Sequence, residues 1–93
     1  MDAALAVITI RNRAALNAVF LSSHVLDDGS MDDDAVTFTD VLNVLGNTVD
    51  VVPIEGGANK WKAYGPLCNG ESYAVVVEIF GESLFVVTCH NPP

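Results

Sequence analysis

The chain has 93 residues, 51% hydrophobic and 17% charged, which makes one domain with no room for a second core and argues against general disorder. Twelve acids against four bases, Arg11, Arg13, Lys60 and Lys62, give a formal net charge of −8. That field repels nucleic acid and anionic membranes and favours a basic protein partner. The apolar runs Leu5–Ile10 and Ala74–Val77 are far too short to span a bilayer. No basic segment precedes the first of them, so a cytoplasmic chain with no membrane partner is expected.

Leu5–Ile10 reads either as an opening strand, from its β-branched residues, or as a helix continuing from Ala3. Asn12 then suits an N-cap, and Ala15, Leu16, Val19 and Phe20 at helical spacing predict a helix over 13–26. Asp27-Asp-Gly-Ser-Met-Asp-Asp-Asp34 is an acidic loop holding five of the twelve acids. Its alternating Asp28, Ser30 and Asp32 suggest calcium, but the glycine comes too early and no closing Glu follows, so no metal is expected there. Thr37 and Asp40 resemble a capping box. Phe38, Val41, Leu42 and Leu45 follow at i, i+3, i+4 and i+7, and Gly46-Asn47 supplies a stop, so a helix is predicted over 37–46. Val49–Ile54 is a short strand that Pro53 confines to an edge, and Glu55–Asn59 is a flexible connection.

From Lys60 to His90, three runs rich in β-branched and aromatic residues are separated by Gly-containing breaks, the pattern of an antiparallel meander. The middle run puts Tyr73, Val75, Val77 and Ile79 on one face and Ala74, Val76, Glu78 and Phe80 on the other. Both faces are mostly apolar, which predicts a central strand covered at least in part on both sides. The expected architecture is α+β, with one or two N-terminal helices on a three- to four-stranded antiparallel sheet. Cys68 and Cys89 are expected as two thiols rather than a disulfide. With His24 and His90 they lack the spacing of a metal site, and no cofactor is expected. The oligomeric state stays open; a dimer through an edge at Val49–Ile54 or Leu84–Cys89 is one option, opposed by Pro53 and Glu82.

Several short motifs resemble a known family. Ser22-Ser-His24, then Val36-Thr-Phe-Thr-Asp-Val-Leu42, Lys62-Ala-Tyr-Gly65, Tyr73-Ala-Val-Val-Val77 and Leu84-Phe-Val-Val-Thr88 look like a bacterial domain family of small uncharacterised proteins. That family is related to the MqsR and RelE-type ribonuclease toxins of the barnase–EndoU–RelE grouping. The resemblance covers roughly residues 20–90. It implies a small α+β fold whose sheet face receives RNA and cleaves it without a metal, with His24, Lys62, Tyr64 and His90 at the family's polar positions. The family's segment after the histidine is typically rich in Arg, whereas this chain carries aspartates there.

Two functions follow. The first is a non-catalytic inhibitor or immunity-type protein presenting Asp27, Asp28, Asp32, Asp33 and Asp34 to a basic, nucleic-acid-handling partner. The alternative is a ribonuclease toxin. Metal-free RNA cleavage needs a base, an acid and cations for the phosphorane, roles that His24, Lys60, Lys62, Tyr64 and His90 would fill. The charge balance ranks the inhibitor first, because each neutralised phosphate requires a cation.

Overall fold

The structure, a computed structural model, describes residues 1–27, 31, 34–55 and 59–90; the side chains of His24 and His90 lie outside that description. The ambiguous N-terminal run is helical. Helix α1 spans Ala3–Ala15 and is capped by Asp2, whose carboxylate accepts the Leu5 N–H at 2.8 Å. β-branched residues lower helix propensity by only a few tenths of a kcal/mol each, and burial of Ala6, Ile10 and Ala14 on one face outweighs that.

The helix expected over 13–26 is corrected. Asn12 and Arg13 belong to the last turn of α1, which ends in a Schellman arrangement: Asn17 adopts φ 57°, its N–H bonds Ala14 O and the Ala18 N–H bonds Arg13 O. Asparagine tolerates that left-handed conformation. The chain then turns into strand β1, Val19–Leu21, which runs parallel to the last strand, with Val19 opposite Leu84 and Leu21 opposite Val86. A short helix α2, Ser23–Asp27, follows and buries Val25 in the core.

Helix α3, Phe38–Gly46, forms where expected. The Thr37 hydroxyl accepts the Asp40 N–H while the Asp40 carboxylate accepts the Thr37 N–H, closing the capping box. Its buried stripe is Val41, Val44 and Leu45, with Leu42 partly buried; Phe38 is left 38% exposed.

Four more strands complete the sheet: β2 (Asp50–Pro53), β3 (Lys60–Pro66), β4 (Ser72–Phe80) and β5 (Ser83–His90). The order is β1-β5-β4-β3-β2, antiparallel except for the β1–β5 pair. The fold is α+β, with one strand more than expected and a mixed rather than antiparallel sheet. The proposed free edge at Leu84–Cys89 is corrected over Leu84–Val86, where β1 pairs with β5; β2, with Pro53, does lie at an edge. Gly81, at φ 57°, opens the two-residue turn between β4 and β5, as a tight hairpin requires.

The helices lie on one face of the sheet, over Trp61, Ala63, Tyr73, Val75, Val77, Ile79, Leu84, Val86 and Cys89. The opposite face carries no helix among the described residues. Ala74 and Val76 are nonetheless buried, because they are small and flanked across the strands by Tyr64, Lys62 and Thr88. Phe80, at the end of that row, is 65% exposed. The expectation of cover on both sides of β4 therefore holds for its small residues and fails for its large one. No disulfide forms: Cys68 is exposed in the β3–β4 turn and Cys89 is buried on β5.

Candidate functional site

The strand register decides which polar residues meet on the uncovered face. Side chains alternate along a strand, and with Trp61 and Ala63 in the core, Lys60, Lys62 and Tyr64 share the other face. Each stands opposite a residue of β4: Lys60 faces Glu78, Lys62 faces Val76 and Tyr64 faces Ala74. On the outer side Asp50 faces Tyr64 and Val52 faces Lys62. The Lys62 ammonium sits 5.5 Å from the centre of the Tyr64 ring, within cation–π range. His90 closes β5 opposite Ala74, so its backbone lies in the same cross-strand row as Tyr64. His24 belongs to α2, which joins the core on the helix-covered face through Val25. The fold thus brings Lys60, Lys62 and Tyr64 together, and anchors the helix bearing His24 on the other side.

The acidic segment is fastened at both ends. Before it, Val25 is in the core and Asp27 ends α2, exposed. After it, Val36 is buried, its N–H bonding Met31 O at 2.8 Å. Asp34 accepts a hydrogen bond of 2.8 Å from the hydroxyl of Tyr73, a fully buried residue of β4. Sequence reasoning grouped Asp34 with the partner-facing acids; it also anchors the segment to the sheet. Asp28, Asp32 and Asp33 lie outside the described residues.

Asp40 is a second structural carboxylate. One oxygen takes the Thr37 N–H and hydroxyl, and the other takes the Cys68 N–H at 3.0 Å, tying α3 to the β3–β4 turn. The backbone bond from Thr37 first, and that from Cys68 second, lower its pKa from the ordinary 3.8 to about 2. The same carboxylate pushes the Cys68 thiol pKa up by accepting its hydrogen bond, which suppresses thiolate reactivity.

Sequence reasoning missed an aromatic cluster at one end of the uncovered face. Phe20 of β1 and Phe80 of β4 both contact Phe85 of β5, with ring centroids 5.7 and 5.9 Å apart, the second pair edge-to-face. A shallow hollow lies between Glu78, Phe80 and Phe85. The alternation of Phe80 with Ile79, and of Phe85 with Leu84 and Val86, was visible in the sequence. The junction of Phe80 and Phe85 with Phe20 was not, because it depends on the parallel pairing of β1.

Among the described residues, no three His, Cys, Asp or Glu side chains converge as metal ligands, and no helix is long and apolar enough to cross a membrane. No family model, curated protein or solved structure matches the chain.

Proposed function

We propose that this chain is a small acidic, non-catalytic binding protein, of inhibitor or immunity type, that presents the Asp27–Asp34 segment to a basic partner. The observation that carries this reading is the pinning of the segment: Val25 and Val36 are buried on either side, and the Tyr73 hydroxyl holds Asp34. Five carboxylates within eight residues, on a chain of net charge −8, make the segment strongly negative. Such a segment steers and selects a positively charged surface. A protein that handles nucleic acid supplies that surface in its phosphate-binding groove.

The test compares wild type with a variant in which Asp28, Asp32 and Asp33 are changed to Asn, leaving the anchoring Asp34 intact. Immobilised wild type is expected to retain basic proteins at low salt and to release them as salt rises, and the variant to retain them weakly. Equal retention of the same proteins by both chains would count decisively against the reading.

One observation favours a second reading, a metal-independent ribonuclease of the MqsR/RelE type. Lys60, Lys62 and Tyr64 share the uncovered face, with His90 in the Tyr64 row. In that mechanism the lysines would bear the phosphorane charge, and Tyr64 or His90 would move protons. Induced expression would then arrest growth and degrade RNA, and Lys62→Ala would relieve both; harmless wild-type expression with intact RNA would rule it out.

A further inference from the structure

We propose that the uncovered sheet face is a self-association surface, and that two copies of this chain pack face to face through it. The proposal is independent of what the acidic segment binds. Three properties of the face support it.

The first is charge. The molecule carries −8 overall, so two copies repel one another over most of their surface. The described charged residues of this face are Lys60 and Lys62 against Asp50 and Glu78, two positive and two negative, for a sum of zero. Half of the chain's four bases lie here, and this is where the field opposing a second copy is weakest.

The second is apolar exposure at positions that do not need it for folding. Phe20 is 53%, Phe80 65% and Val52 45% exposed, and the three phenylalanines form one continuous patch. Large exposed aromatic patches rimmed by polar residues mark interaction surfaces, and buried aromatics supply most of the binding energy at interfaces.

The third is self-complementarity. The row Phe20–Phe85–Glu78–Lys60 crosses four neighbouring strands, aromatic at one end and cationic at the other. A two-fold axis parallel to the strands reverses that row, setting the Lys60 end of one copy over the Phe20 end of the other. An isologous interface requires this of a surface, and ammonium on a phenyl face is attractive. Each Glu78 stays beside the Lys60 of its own chain. The area also suffices. Five strands about 4.8 Å apart and roughly six residues long, at about 3.3 Å each, give roughly 500 Å² per copy. A pair therefore buries about 1,000 Å², the lower bound for a specific interface. The product is a two-sheet sandwich with the helices outermost.

Sedimentation velocity on the full chain, from low micromolar to submillimolar concentration, tests this. The expected result is a species of twice 9.9 kDa. Phe80→Glu and Lys60→Glu should each raise the dimer dissociation constant about tenfold or more with unchanged far-ultraviolet circular dichroism, and Leu5→Glu on the outer face of α1 should leave it unaltered. If Phe80→Glu fails to fold, Lys60→Glu decides alone. A monomer at every concentration would overturn the proposal. So would a dimer indifferent to both face substitutions, or one dissolved by Leu5→Glu. A monomeric wild type that binds a labelled single-stranded oligoribonucleotide, with binding lost in Lys60→Glu, would assign the face to nucleic acid instead.

Discussion

Tyr73 and Asp40 show how much single side chains contribute to placing this chain's loops. Tyr73 was legible as a core residue from its alternation with Val75 and Val77. Its partner was not, because Asp34 lies 39 positions earlier and joins it through tertiary folding alone. Tyr73→Phe keeps the buried ring and removes a hydrogen bond to a carboxylate, so unfolding free energy should fall by about 1–2 kcal/mol. Amide exchange at Asp34–Val36 should rise as the acidic segment loses its anchor; exchange equal to wild type would show that the bond does not hold it. Asp40 makes the molecule acid-sensitive in a defined window. Its folded pKa of about 2 lies below the ordinary 3.8, so its stabilising effect is fully present above about pH 4 and is lost as pH falls from 4 toward 2. Melts at pH 5, 4, 3 and 2 should show a steeper loss in wild type than in Asp40→Asn, and parallel curves would assign the acid sensitivity to other groups.

At the scale of elements, α3 was readable because its signals are local: a capping box, a periodic apolar stripe and a glycine stop all fall within eleven residues, 37–47. What holds it to the sheet is not local. A β-carbon on Gly65 of β3 would overlap the carbonyl oxygen of Val44, so helix and strand meet backbone to backbone. Thr48, fully buried just after α3, donates to Tyr64 O at 2.7 Å and adds a second tie. Gly65→Ala should cost about 2–3 kcal/mol through overpacking, measured by denaturant titration. A change under about 0.5 kcal/mol, the range of ordinary surface substitutions, would mean that α3 can slide. The misread stretch 13–26 teaches the complementary lesson. Ala15, Leu16, Val19 and Phe20 do fall at helical spacing, yet Asn17 ends α1 and Val19–Leu21 pairs with a strand more than sixty residues later. Helical periodicity over six residues is a weak constraint beside three ladder pairs with β5 and the burial of Val19 in the core.

For the whole molecule, the dominant fact is an excess of eight acids over bases, which opposes compaction. Raising salt from about 10 mM to about 150 mM shortens the screening length from roughly 30 Å to 8 Å. Thermal stability should therefore increase, by about 5 °C if screening relieves ~1 kcal/mol. A melting temperature that stays level or falls with sodium chloride would show that specific ion pairs outweigh the general repulsion.

By itself the sequence determined what depends on neighbours along the chain: the α+β class, the capped helix at Thr37, the meander from Lys60 to His90, and the alternation that puts Tyr73, Val75, Val77 and Ile79 on one face of its middle strand. Each rests on side-chain periodicity or local turn chemistry, which distance along the chain does not alter. Tertiary structure alone decided that β1 closes the sheet in parallel, that Asp34 hangs from Tyr73, and that Phe20, Phe80 and Phe85 gather on the face the helices leave bare. These depend on contacts between residues far apart in the chain, for which local propensity carries no signal.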